Sequence, residues 1–339
     1  MKAVGFTQNL PISDPLSLLD LDLPRPVLRD RDLLVQVQAI SVNPVDTKIR
    51  RNRPVTAGEY QVLGWDVCGI VQEIGPAVSL FKPGDRVWYA GAIDRPGANS
   101  QWHAVDERIV ALAPTSLSDP QAAALPLTGI TAWELLFDRL QVSRSADAPA
   151  KTLLIVGAAG GVGSILVQLA AKLTSLTVIA TASRPETQAW VKQLGAHHVI
   201  DHSKPLSQEL KALGYPSVDL VASLTQTDQH VSELAVSIAP QGKLALIDDP
   251  TTFDIKLFKS KSVSIHWEFM YTRSMYQTAD MQAQHELLTE LAELVDKGVL
   301  KTTLGQHLGS INANNLRHAH TLLESGTTQG KLVLEGWRE

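Results

Sequence analysis

Residues 152–173 read TLLIVGAAGGVGSILVQLAAKL, and no other stretch of the 339-residue chain limits the fold as strongly. TLLIVG is almost continuously apolar, as suits a strand covered on both faces of a parallel sheet. The glycines permit a tight turn. Val162, Ile165, Leu166, Leu169, Ala170 and Leu173 then fall at helical spacing, which predicts a helix over 161–173 with one face on that sheet. Further strands are predicted at 177–182, 197–201, 218–223, 243–248 and 262–269. Helices at 185–194, 206–213 and 228–239 alternate with them. Six strands with interleaved helices make an α/β doubly wound sheet.

The first third of the chain has a different rhythm. LLVQVQAISV (33–42), CGIVQEIG (68–75), DRVWYA (85–90) and HAVDERIVAL (103–112) are short β-branched or alternating runs, closely spaced and separated by turn residues. Lys82-Pro83-Gly84-Asp85 fits a type II turn, with Pro presetting the first central φ and Gly supplying the positive second one. These runs predict a small antiparallel barrel or sandwich. After Pro126, LTGITAWELLFDRL (127–140) reads as one helix, and a polar connector, 141–151, leads to the buried strand. Later helices near 281–297 and 313–324 precede a last strand, KLVLEG. The expected domains are therefore 1–126 with 281–339, and 127–280.

Composition narrows the function classes. With 44% hydrophobic and 19% charged residues the chain is ordinary globular protein. A net charge of −5 supplies no basic field for nucleic acid, so no nucleic-acid partner is expected. A lone cysteine, Cys68, rules out an intrachain disulfide and a Cys-rich zinc cluster, and suits a reducing compartment. The amino terminus lacks a signal-peptide pattern, and apolar runs fall short of the roughly 20 residues of a membrane helix. The expectation is a cytoplasmic protein without a membrane partner.

The loop Ala159-Gly160-Gly161-Val162-Gly163 stands where a dinucleotide site requires it, after the strand and opening the helix. Gly160 lets the backbone approach a pyrophosphate, and Gly163 lets helix and strand pack closely; the first glycine of the usual pattern is Ala158. The next strand ends in Ala182-Ser183-Arg184-Pro185, with no acid to accept an adenosine 2′-hydroxyl before Glu186. Ser183 and Arg184 suit a 2′-phosphate instead, so the cofactor is expected to be NADPH.

These features together resemble the medium-chain dehydrogenase/reductase superfamily, a GroES-like β-rich catalytic domain plus a doubly wound parallel Rossmann domain, and most closely its zinc-free quinone oxidoreductase branch. Asn43-Pro44-Val45-Asp46, Gly64-Trp65-Asp66, Lys82-Pro83-Gly84-Asp85-Arg86-Val87, Ala123-Ala124-Leu125-Pro126 with Thr131-Ala132, AAGGVG and Gly330-Lys331 carry the resemblance across essentially the whole chain. Members of this subgroup often bear the label "zinc-type alcohol dehydrogenase-like". Zinc-dependent members place a Cys at the position of Asn43, a His within the motif matching Gly64-Trp65-Asp66, and a third ligand within 127–131. None of these positions offers a thiolate or imidazole here. No metal is expected.

The resemblance implies an NADPH-dependent oxidoreductase that transfers hydride to a quinone or an α,β-unsaturated carbonyl. It also implies site residues. Asn43 and Thr131 lie near the nicotinamide and its ribose, and Asp46 orients Asn43, holds a water or simply caps a turn. Trp65 and Trp267 form a flat wall for a small planar acceptor. His266, Trp267 and Glu268 line the cleft, unless Trp267 and Phe269 belong to core or dimer interface. Ser223, Ile247 and Lys331 complete the cofactor contacts. A homodimer pairing through the last Rossmann strand is implied by analogy. Alternatives are a zinc-independent alcohol or aldehyde oxidoreductase and a low-turnover NADPH-binding protein of structural or nucleic-acid-binding type. His197, His198, His202, His318 and His320 are expected to be solvated.

Overall fold

The computed structural model describes residues 1–145 and 147–337. The expected connector and last domain include Ala146, Arg338 and Glu339, which lie outside the described residues. Two compact units divide the chain: Met1–Ile130 with Tyr271–Glu339, and Thr131–Met270. Their borders differ by four and ten residues from those expected, because the helix Pro126–Trp133 straddles one and the segment after strand Ser264–Trp267 joins the first unit early.

The first unit is built around Asp32–Val42, an eleven-residue strand that pairs antiparallel with Val67–Ile74, Trp102–Asp106 and Lys331–Glu335. Two register shifts against Val67–Ile74 bend it. Arg86–Tyr89 and Val110–Leu112 extend one side of this seven-stranded sheet, and Leu304–His307 pairs parallel with Lys331–Glu335 at the other. A separate three-stranded sheet, Leu19–Asp22, Lys2–Phe6 and Gln61–Val62, was not foreseen from the sequence. The stretch 103–112 is two strands, because Glu107–Ile109 turns as a 3-10 helix capped by the Asp106 carboxylate. Gly84, at φ +93°, closes the turn in which Asp85 N–H donates to Lys82 O.

The second unit is a six-stranded parallel sheet in the order His198–Ile200, Thr177–Thr181, Thr152–Val156, Val218–Ser223, Ile238–Leu246, Ser264–Trp267. In chain order that is 3-2-1-4-5-6, so the winding reverses between Thr152–Val156 and Val218–Ser223, where sheets of this type bind ligands. Helices Gly161–Leu173, Pro185–Leu194, Leu206–Ala212 and Thr227–Ser237 connect the strands, and a 3-10 segment, Ile255–Lys261, replaces the last helix. The single helix expected over 127–140 is an α-helix to Trp133 followed by a π-helix, Glu134–Arg139, with Leu140 N–H bonded to Leu135 O. Among the described residues no helix is long and apolar enough to cross a membrane.

The expectation of solvated histidines fails at His320. Helix Ala313–Glu324 packs on helix Pro44–Asn52, and His320 is fully buried with neither ring nitrogen hydrogen-bonded. Burial, and then the charge of nearby Arg50, push its pKa down to about 3. A depressed histidine pKa stabilises the fold above the unfolded value near 6.5, and that stability is lost as pH falls toward 3. His320→Leu should therefore flatten the pH dependence of urea unfolding between pH 6.5 and 3 by about one proton per chain. An unchanged slope would contradict this.

Candidate functional site

A closed polar cluster sits inside the first unit. Strand Asp32–Val42 ends against Asn43, which caps helix Pro44–Asn52; Pro44 opens that helix where a missing N–H costs nothing. Asp46 closes the cap: its Oδ2 accepts the Asn43 backbone N–H at 2.8 Å and its Oδ1 accepts Gly64 N–H at 2.9 Å. Gly64 has φ +108°, and a Cβ there would stand 2.3 Å from Asn99 Oδ1, so only glycine fits. Asp66 Oδ2 accepts from Asn43 Nδ2 at 2.8 Å and from Lys331 Nζ at 3.0 Å, while Oδ1 accepts Leu127 N–H at 2.8 Å. Lys331 Nζ also donates to Val42 O at 3.0 Å and to Asn43 Oδ1.

All four side chains are buried. Burial raises Asp46 to about 7 against the pull of its two N–H donors and Lys331, and raises Asp66 against Lys331, Leu127 and Asn43. Asp46 thus both caps the helix and holds Asn43. The Asn43 amide is directed inward: Oδ1 binds Lys331, and Nδ2 binds Asp66 and, at 3.4 Å, Ser41 O. Lys331 has its three donors engaged within the unit, a structural task rather than the cofactor contact expected of it. Trp65 is buried too, its indole N–H donating to Ala92 O at 3.2 Å and its ring edge-on to Tyr271, so it does not present the open wall expected.

The second unit carries the remaining expected residues. Gly157 (φ +80°) ends the central strand, its N–H donating to Thr181 Oγ1 at 3.1 Å. A Cβ at Gly163 would stand 2.5 Å from Ala158 and from Gly157 O, so backbone packs there directly on backbone. A Cβ at Gly160, the residue that caps helix Gly161–Leu173, would meet only Gly157 O, at 3.5 Å. The first-turn N–H groups of Gly161, Val162 and Gly163 have no partner within a helix, and the positive helix end adds to them. This open, amide-lined cradle at the winding reversal fits the pyrophosphate of a dinucleotide.

Arg184 caps helix Pro185–Leu194 and pairs with Glu186 at 3.2 Å; Ser183 precedes it. Ser223 is buried, its hydroxyl 2.7 Å from Thr227 Oγ1, and Ile247 follows strand Ile238–Leu246. Thr131 is buried in helix Pro126–Trp133. His266 and Trp267 are consecutive on the edge strand and so face opposite sides of the sheet. Trp267 is 55% exposed, whereas Nε2 of His266 is buried without a hydrogen bond. Sequence reasoning missed the setting of Glu268: it is buried, accepts from Arg139 Nε at 2.8 Å, and is raised to about 9 by burial and by Glu134. The wider π turn is the element that carries both Glu134 and Arg139.

Comparison with known proteins assigns this architecture. Residues 29–114 match the alcohol dehydrogenase GroES-like domain, and 194–334 match a zinc-binding dehydrogenase family. A zinc-type alcohol dehydrogenase-like protein of Staphylococcus epidermidis is 39% identical over 98% of this chain and 99% of its own length. The 2-methylene-furan-3-one reductase of Solanum lycopersicum is 34% identical over 98% of this chain and 79% of its own. The chain is a medium-chain dehydrogenase/reductase. A Rhizobium etli crystal structure classed with zinc-dependent alcohol dehydrogenases superposes with TM-score 0.96 at 57% identity, covering 100% and 99% of the two chains. Escherichia coli quinone oxidoreductase complexed with NADPH superposes with TM-score 0.84 at 25% identity, covering 99% of each.

A medium-chain dehydrogenase/reductase is an oxidoreductase that works with a nicotinamide cofactor, and the Gly157–Gly163 loop is the part of this chain fitted to hold one. Among the described residues no group of three His, Cys, Asp or Glu side chains is arranged to hold a metal ion. Asn43, which the resemblance sets at the place of a zinc ligand, is instead tied with Asp66 and the Leu127 backbone N–H into one network by the Lys331 ammonium. Lys331→Met would leave Asp66 buried without its cation and should cost about 3–5 kcal/mol in urea unfolding, part of which the added change Asp66→Asn restores. Equal stability of Lys331→Met and the parent would refute the role given to this pair.

Proposed function

We propose that the chain is a cytosolic, NADPH-dependent reductase of quinones or α,β-unsaturated carbonyls that works without a catalytic zinc. The observation that carries the reading is the Asn43–Asp66–Lys331 cluster: a fixed ammonium is bonded to Asn43, the residue that the resemblance matches to a zinc ligand, and each of its donors is bonded inside the protein. Such a group cannot act as a Lewis acid with an open position. A quinone or enone needs that help least, because the charge left by reduction spreads through its own conjugation to a distant oxygen. The named activities of the Escherichia coli and tomato relatives support the same classes of acceptor.

A bound reduced nicotinamide supplies hydride. The amides of Gly161, Val162 and Gly163 hold the pyrophosphate, and Ser183 and Arg184 bind the 2′-phosphate, with Arg184 exchanging Glu186 for it. Thr131, His266, Ser223 and Ile247 belong to the nicotinamide half of the site. Asn43, Asp46 and Lys331 position backbone rather than touch substrate.

Purified protein should oxidise NADPH with 9,10-phenanthrenequinone or a short enal, contain less than about a tenth of a zinc per chain, and keep its rate in chelator. Arg184→Ala should raise KM for NADPH roughly tenfold and leave KM for NADH within about twofold. Stoichiometric zinc, or turnover confined to simple alcohols and aldehydes, would overturn the reading.

The active form is a homodimer. Strand Ser264–Trp267 has one unpaired edge, with Trp267 55% and Phe269 47% exposed beside it. An open apolar strand edge is a surface a second copy covers. Trp267→Glu should convert a dimer to a monomer in size exclusion with light scattering, and a monomeric parent would disprove the assembly.

A further inference from the structure

At the adenosine end of the cofactor loop the second unit gathers imidazoles that the proposed reaction leaves unused. Strands Thr177–Thr181 and His198–Ile200 are parallel neighbours with Thr181 opposite Ile200, and Ala182 N–H donates to Ile200 O at 3.0 Å. The segments leaving the two strands therefore start side by side, Ser183 and Arg184 from one, Asp201 and His202 from the other. His230, in the first turn of helix Thr227–Ser237, stands edge-on to His202 with ring centroids 6.4 Å apart. His202, expected to be solvated, is half-buried, and its Nδ1 is buried without a hydrogen-bond partner.

Burial favours neutral rings in this pair, against the pull of the carboxylates around it. His202 is pushed below its ordinary pKa by burial and by Arg184, against the opposite pull of Asp201. His230 is lowered by burial and by His202, against Asp228, Asp248 and Glu233. Lys204 and Glu209, themselves an ion pair at 3.8 Å, and Glu186, paired with Arg184, are further charged groups on these segments. A phosphate monoester adds about 1.5 to 2 negative charges at pH 7, enough to reverse that balance and favour an imidazolium.

We propose that His202 is a titratable member of the 2′-phosphate subsite, taking up a proton from solvent when the phosphate arrives beside Arg184, so that NADPH affinity rises as pH falls while NADH affinity does not. The inference rests on the NADPH reading above. Arg184 supplies a permanent charge, and His202 adds a charge that the bound phosphate favours.

Isothermal titration of the full chain with NADPH and with NADH, in buffers of different ionisation heat, tests it. NADPH binding near pH 7 should take up a measurable fraction of a proton, and NADH binding none. His202→Gln should abolish the uptake and weaken NADPH binding roughly five- to tenfold at pH 6.5 but less than about twofold at pH 8.5. Unaltered NADH affinity in the variant reports that its fold is intact. Proton uptake that persists in His202→Gln, or pH-independent NADPH binding by the parent, would overturn the role of His202 while leaving NADPH preference standing. Equal affinity for NADPH and NADH at every pH would instead remove the 2′-phosphate reading itself, and this inference with it.

Discussion

One buried ion pair organises the first unit. Lys331 opens the last strand and Asp66 precedes the strand Val67–Ile74, 265 positions earlier in the sequence, yet their charged atoms meet at 3.0 Å. A carboxylate and an ammonium taken out of water are costly unless every remaining lone pair and proton finds a partner. Here all three ammonium protons and both carboxylate oxygens are engaged: Asp66 accepts from Asn43 and Leu127 as well, and Lys331 donates to Val42 and Asn43. The same completeness fixes four chain segments at once, which a hydrophobic contact of equal size could not do, because it has no direction. Asp46 extends the arrangement by tying the helix cap to Gly64.

The parallel sheet was legible because its signals are local. A strand buried on both faces has to be apolar throughout, and a helix lying on it has to show apolar residues at helical spacing; 152–156 and 161–173 satisfy both. The helix limits Pro185–Leu194 and Ala313–Glu324 follow from punctuation in the sequence, with Pro185 at the start of one and Gly195, in a left-handed conformation, at the end. The strands Lys2–Phe6, Leu19–Asp22 and Gln61–Val62 lacked such signals. They are short, and their pairing joins residues up to about sixty apart, which no local pattern encodes.

The site was legible by residue type but not by orientation. Asn43, Trp65 and Lys331 stand out in the sequence, yet which way an amide, an indole or an ammonium turns depends on partners that spacing does not reveal. His320 illustrates the same limit: its place on a helix was readable, but its burial depends on the helix Pro44–Asn52 packed across it. The π-helix over Glu134–Arg139 was invisible for a related reason. An apolar pattern compatible with 3.6 residues per turn does not exclude one wider turn.

The difference between an ammonium and a metal ion explains how the cluster constrains chemistry. A catalytic metal keeps a coordination position open, so the charge that holds its ligands together also polarises a substrate oxygen. An ammonium has three protons and no further valence; once Val42, Asn43 and Asp66 take them, its charge orders the protein and reaches nothing else. Exchanging one for the other separates scaffolding from electrophilic assistance.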